Sequence, residues 1–308
     1  MEQKKFEYIC RNDKKILVKG YCENDKKIVI EDDVTTIGPF AFAGFKMEEL
    51  VLPCSLEKMY DFAFSDCANL RKITISKGIR ENVPEFGYSI SNTAFIGCTS
   101  VTEIECLANS NNNMEDEYMW EFNIVYNLLY LIMNENILGR NQISDALEKV
   151  FEKQQQFTVS ITVKDNSLLI PKYIYYDYKV KLLKSARKYL EEISNITHKE
   201  TTKKSFFDSL PIAGKTYCIA TAIEMYMLTG DEAAKEYIQC HAGDVCKYIM
   251  KSQNDTVFAQ FLNLNLLSLK ILKDVFDVLD KAKMPLSTAY LLQSMQEENI
   301  KDKNNLDL

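Results

Sequence analysis

The chain has 308 residues, enough for two ordinary domains. Its 46% hydrophobic and 26% charged content is that of a folded globular protein, which excludes extended disorder away from the ends. A net charge of −7 and a pI near 5.2 argue against nucleic acid and anionic membranes as partners, because phosphate binding calls for a basic surface.

Met1 to Lys5 lead straight into a strand-like segment with no apolar secretory run. No stretch approaches the roughly 20 apolar residues that cross a bilayer, so membrane insertion is not expected. As written the protein is expected in the cytoplasm, or secreted or at the cell surface if an export signal preceded it. Nine cysteines without a CxxC pair read as free, mostly buried thiols in a reducing compartment.

The first third repeats. Ile37-Gly38-Pro39-Phe40-Ala41-Phe42 returns as Met59-Tyr60-Asp61-Phe62-Ala63-Phe64, and a third copy, Asn92-Thr93-Ala94-Phe95-Ile96-Gly97-Cys98, follows after an insertion. Between the copies lie the triplets Ile28-Val29-Ile30, Leu50-Val51-Leu52, Ile73-Thr74-Ile75 and Ile104-Glu105-Cys106. In a strand the outer members of each triplet share one face, so these aliphatics point inward while Val29, Val51, Thr74 and Glu105 face solvent. A second inward ladder is predicted from Val34 and Ile37, Leu56 and Met59, then Ile79 and Val83. One coil of about 22 residues cannot bury its own apolar face, so neighbours must stack and the ends need caps. Phe42, Phe64 and Phe95 are predicted to fill the far side of each coil, with Phe64 in the middle.

These residues carry a resemblance. The pattern Ile-Gly-x-x-Ala-Phe-x-x-Cys-x-x-Leu-x-x-Ile-x-Leu-Pro resembles the treponemal, or BspA-like, leucine-rich repeat over about Lys27 to Cys106. Its best copy is Leu50 to Ile75, with Leu52-Pro53, Ala63-Phe64, Cys67, Leu70 and Ile73. Phe6 to Tyr21 is similar to the hairpin that caps such arrays, with Asn12-Asp13 as its turn. The resemblance implies protein recognition and brings no catalytic residues. Residues 80 to 92, with Pro84, Phe86, Gly87 and Tyr88, read as an insertion: a tolerated surface loop, or an extension of a binding edge.

The polar run Asn109 to Asp116 marks the expected boundary between a domain over 1–108 and a mainly helical one over 115–308. Trp120, Ile124, Leu128 and Leu131 give one helical stripe, and Ile143, Leu147, Val150 and Phe151 another. Phe157 to Val163 alternates like a strand, with Leu168 to Ile170 as a hairpin partner across Asp165-Asn166. Helices are predicted over Tyr178–Ile193, Thr216–Leu228, Glu232–Met250, Thr256–Leu279 and Leu286–Glu297. Gly230-Asp231 serve as stop and cap, and Pro285 opens the last helix. Residues 256–262 align with 286–292 at a shift of 30, which resembles degenerate ankyrin-type pairs; an irregular bundle fits equally well.

Chemical signals are weak. Gly214-Lys215-Thr216 precedes a helix, but Ser209 stands where a phosphate loop needs glycine. Cys240, His241 and Cys246 do not share a helix face and have no fourth ligand. His198, the acidic groups at Glu115 to Glu117 and the pair Glu191–Glu192 read as solvated surface. Tyr173, Tyr175, Tyr176 and Tyr178 read as packing, with stacking on a sugar or peptide as the alternative. The fold predicted is α+β: a short leucine-rich-repeat solenoid with an N-terminal hairpin cap, then a mainly α-helical domain. The function predicted is noncatalytic binding of another protein through Val29, Val51, Thr74 and Glu105, with no cofactor, no metal and no catalytic residues. The alternatives are an enzyme or nucleotide-responsive helical domain scaffolded by the repeats, and repeats that merely position or dimerise that domain.

Overall fold

The structure, a computed structural model, describes residues 5–76, 79–80, 89–107, 109–110, 140–163, 166–174, 181, 184–186, 188, 203–205 and 214–306. Contacts divide the chain into two compact units, residues 1–136 with 158–211, and residues 137–157 with 212–308.

The first unit opens with a hairpin, β1 (Phe6–Arg11) and β2 (Lys14–Gly20), paired antiparallel. Asn12 and Asp13 form its turn at φ 52° and 59°, the left-handed region that short polar residues tolerate in two-residue hairpin loops. Then follow β3 (Lys27–Val29), β4 (Val34–Ile37), β5 (Glu49–Leu52), β6 (Lys58–Met59), β7 (Lys72–Ile75), β8 (Ile79–Arg80), β9 (Ser89–Ile90), β10 (Glu103–Cys106) and β11 (Asn109–Ser110). Successive triplet strands pair in parallel and in register, Ile28 with Leu50, Leu50 with Ile73 and Ile73 with Ile104. All four aliphatics are buried, as are Ile30, Leu52, Ile75 and Cys106 two positions on.

A second parallel ladder runs through β2, β4, β6 and β9, and brings Leu17, Ile37, Met59 and Ile90 together. Here the structure differs from the sequence-based expectation. Ile90, not Val83, aligns with Met59, because the ladder keeps a fixed spacing of five residues ahead of Phe42, Phe64 and Phe95 and the inserted residues lie upstream of Ser89. Val83, Pro84, Phe86, Gly87 and Tyr88 lie outside the described residues. Ile79, in β8, pairs its strand with β11 instead.

On the third side of each coil Ala41, Ala63 and Ala94 are buried, and the Phe42, Phe64 and Phe95 rings stack face to face, 5.0 Å apart at 2° and 7°. The amide of Phe42 donates to Ala63 O and that of Phe64 to Ala94 O, both at 2.8 Å. Cys67 and Cys98 donate their thiols to the carbonyls of Phe42 and Phe64, at 3.2 and 3.1 Å, one coil back in each case.

The triplet sheet does not stop at β10. β12 (Thr158–Val163) pairs with it in parallel, Ile161 beside Ile104 and Val163 beside Cys106. β13 (Asn166–Pro171) folds back antiparallel on β12 as the predicted hairpin, and β14 (Lys203–Ser205) adds to β13. The result is an open seven-stranded sheet in the order β14-β13-β12-β10-β7-β5-β3. Ile161, Leu168 and Ile170 join the same core. The buried Lys172 donates its ammonium to the carbonyl of Thr99.

The second unit is helical: α1 (Arg140–Phe151), α2 (Lys215–Thr229), α3 (Glu232–Cys240), α4 (Ala242–Met250), α5 (Asp255–Leu262), α6 (Leu269–Ala282) and α7 (Pro285–Leu306) among the described residues. Gly230 ends α2 in the left-handed conformation, its amide donating to Tyr226 O, and Asp231 caps α3 by accepting from Ala234 N at 2.7 Å. Two long helices of the sequence reading are each broken. His241, at φ −110°, separates α3 from α4, and residues 263–268, with Asn265 at φ 53°, separate α5 from α6. Leu264, Leu266 and Leu267 keep the second interruption apolar, so periodicity alone does not reveal it. The last helix runs beyond the predicted Glu297 to Leu306. Trp120 to Leu131 and most of Tyr178–Ile193 lie outside the described residues.

Glu224 of α2 is buried to 1% exposure, yet its carboxylate is used. It accepts from the amides of Gln156 and Phe157 at 2.7 to 3.0 Å, which fixes the chain leaving α1.

Candidate protein-binding surface

Parallel in-register pairing converts each position of the repeat into a row across the sheet. Val29, Val51, Thr74 and Glu105 form one such row, which Thr162 and Ser167 continue. Two residues earlier, Lys27, Glu49, Lys72 and Glu103 form a second row on the same face. Its charges alternate and pair, Lys27 with Glu49 at 2.8 Å and Lys72 with Glu103 at 2.6 Å.

The two rows meet at Lys72, which also reaches Glu105 at 2.8 Å. Burial works against its ammonium, but hydrogen bonds to Glu103 and Glu105 outweigh that and hold its pKa above the ordinary lysine value. Beside the face, a hydrogen bond from Lys26 holds the Glu48 carboxyl below the usual carboxylate range. Lys72, Glu103 and Glu105 together carry one net negative charge, +1 against −2.

Exposure along the first row is uneven. Val29 is 53% exposed on the edge strand, and Val51 and Glu105 are half-buried. Thr74 departs from the expectation that it faces solvent: it is 9% exposed, and its hydroxyl lies 3.4 Å from the Glu105 carboxylate. The cause is lateral, since the longer Glu105 side chain in the next coil leans toward Lys72 and Thr74. The first row is therefore apolar at Val29 and Val51 and charged at Glu105, with the ion pairs of Lys27, Glu49, Lys72 and Glu103 running beside it.

The model of the BspA type leucine rich repeat region matches residues 20–137, in six copies. Over residues 20–137 the chain is thus similar to the BspA-type leucine-rich-repeat family. The match is longer than the resemblance over 27–106, reaching back to Gly20 at the end of the hairpin and on into residues outside those described. The chain is similar to a solved leucine rich cell surface protein from Faecalibacterium prausnitzii A2-165, at 16% identity and a TM-score of 0.24, over 37% of this chain and 40% of that one. The chain thus spans well under half the length of that protein. No curated protein matches it.

The four positions read from the BspA-type repeat, Val29, Val51, Thr74 and Glu105, lie side by side. Sequence reading missed the charged row beside them, although Lys27, Glu49, Lys72 and Glu103 each stand immediately before a triplet, where the repeat itself marks them. It also missed that Thr162 and Ser167 extend the first row.

Outside the BspA-type region the weak chemical signals stay apart. Lys215 opens α2 and forms an exposed ion pair with Asp244, whose carboxyl that pairing holds low. Cys240 is exposed at the end of α3, whereas Cys246 is buried in α4 and burial pushes its thiol up to about 12. The His241 ring stacks on Tyr237 at 4.3 Å. Among the described residues no three His, Cys, Asp or Glu side chains gather to hold a metal ion, and no helix is long and apolar enough to cross a membrane. Tyr173 is buried. His198, Tyr175, Tyr176, Tyr178, Glu115 to Glu117, Glu191 and Glu192 lie outside the described residues.

Proposed function

We propose that the chain is a noncatalytic binding protein in which a capped leucine-rich-repeat solenoid recognises another protein through the outer face of its triplet sheet. The observation that carries this reading is the in-register row Val29–Val51–Thr74–Glu105, flanked by the paired charges of Lys27, Glu49, Lys72 and Glu103. A sheet face on which the apolar Val29 and Val51 lie beside paired charges offers a partner hydrophobic contact and orientation together. Val29 and Val51 receive an apolar side chain, and Glu105 a donor. The helical unit is proposed to accompany this function without chemistry of its own, in keeping with the engagement of Lys215 by Asp244.

The test compares proteins retained from the native organism by the full chain and by its Val51→Lys variant, then measures the best candidate by calorimetry. A lysine in place of Val51, beside Val29 in the apolar part of the row, is expected to weaken binding by about tenfold or more. A control variant, Ile96→Lys, on the Ala-Phe side of the coil, is expected to bind normally. Unchanged affinity for both Val51→Lys and Val29→Glu would remove the sheet face as the interface.

A further inference from the structure

The five-stranded sheet, in the order β1-β2-β4-β6-β9, ends on a strand with no neighbour on its outer side among the described residues. That strand, β1, is six residues long. An exposed edge of this length presents unpaired backbone donors and acceptors and is a template for another strand unless it is blunted by proline, a bulge or repulsive charge. β1 carries no proline, and the skipped residue in its pairing with β2 is Val18, so the irregularity belongs to the partner strand.

The side chains of β1 divide by alternation. Phe6 and Tyr8 pack against the core, which places Glu7, Ile9 and Arg11 on the opposite face. Ile9 is 54% exposed, a large aliphatic held in solvent at the centre of the strand. Glu7 and Arg11 stand symmetrically about it, two residues to either side.

We infer that β1 is a self-association edge: two copies of this chain pair their β1 strands antiparallel about a twofold axis through Ile9. In that register Ile9 opposes Ile9 of the second copy, Tyr8 opposes Cys10, and Glu7 opposes Arg11 on both sides of the axis. Opposite charges directly across an antiparallel pair favour it. Parallel pairing would instead set Glu7 against Glu7 and Arg11 against Arg11, so the charges select direction as well as partner. The arrangement is isologous and closes at two copies, joining two five-stranded sheets across β1. It leaves the triplet sheet uninvolved and does not depend on the proposed recognition role.

The experiment is sedimentation of the full chain at concentrations up to about 100 µM, a range that captures micromolar association. Wild type is expected to dimerise. Arg11→Glu alone, and Glu7→Arg alone, each place like charges opposite one another and are expected to weaken the dimer by about tenfold or more. Mixed in equal amounts, the two variants restore complementary pairs and are expected to form a heterodimer, which a misfolded variant would not do. Separately, Ile9→Cys in a chain also carrying Cys10→Ser and Cys240→Ser is expected to cross-link to a dimer under a mild oxidant. A chain monomeric throughout the range overturns the inference. So does a dimer indifferent to both charge changes, or one that fails to cross-link at position 9.

Discussion

The ring of Phe64 lies 5.0 Å from that of Phe95 and within 7° of parallel, while its other face meets Phe42 at the same distance. Phe64 is the middle ring of three and is fully buried, so its truncation removes stacking in both directions and leaves a cavity that two coils must share. Phe64→Ala is expected to cost about 3 to 5 kcal/mol, more than Phe42→Ala or Phe95→Ala, which lie nearer the ends of the stack. Urea unfolding of the three variants tests the order, and equal losses would show that the coils do not share one interior.

Gly20 is where the hairpin meets that stack. A Cβ built there would sit 2.5 Å from Cε1 and 2.7 Å from Cδ1 of Phe42, with Phe45 at 3.2 Å behind. Phe42 is held between Phe64 and the edge of Phe6, so its ring has little freedom to yield. Gly20→Ala is expected to destabilise the chain by about 1 to 3 kcal/mol through overpacking. Relief by Phe42→Leu in the double variant, measured as a non-additive cycle, would place the cost at this contact.

Much of this was readable in the residues because the repeat states each position several times. Period-two triplets gave the inward aliphatics and the outward row, and the Ala-Phe pairs gave the stacked rings. The rest depended on distance in sequence. Val159 and Ile161 carry the same alternation as Ile73 and Ile75, yet some 50 residues separate β12 from β10, and nothing local says that the two strands pair. Thr74 looked exposed because its burial comes from Glu105, a residue of the next coil. The fine breaks at His241 and Asn265 were hidden within apolar sequence that continues through them.

Glu224 shows how a buried carboxyl group in the helical unit is satisfied. Its two oxygens accept from the amides of Gln156 and Phe157, so truncation leaves the buried Phe157 amide and the part-buried Gln156 amide without these acceptors. Glu224→Ala is expected to cost about 3 kcal/mol or more, and Glu224→Gln, which keeps one carbonyl oxygen, distinctly less. Amide hydrogen exchange at Phe157 reads the same event locally, with faster exchange expected in both variants and the larger change in Glu224→Ala. Unchanged protection would mean that the carboxylate does not hold this segment.

Asp255 offers a dependence on pH. The residue ahead of α7 is Met284, which has no oxygen acceptor in its side chain for the first amides of the helix; Asp255 supplies one from the start of α5, accepting from Leu286 N at 2.9 Å and Ser287 N at 2.8 Å. Burial pushes its carboxyl up, but the hydrogen bonds from Ser287 and Leu286 prevail and hold it below the ordinary aspartate value. A carboxyl lowered on folding stabilises the fold above its unfolded pKa of about 3.9, and that contribution fades as pH falls through the lower folded value. Asp255→Asn is therefore expected to cost about 1 kcal/mol at pH 7, in the range of a lost helix cap, and progressively less below about pH 4 as the wild-type carboxylate takes up its proton. Urea unfolding of both proteins between pH 7 and pH 2 follows the difference. A gap that stays constant down to the lowest pH would show that the cap works through shape alone and owes nothing to the charge.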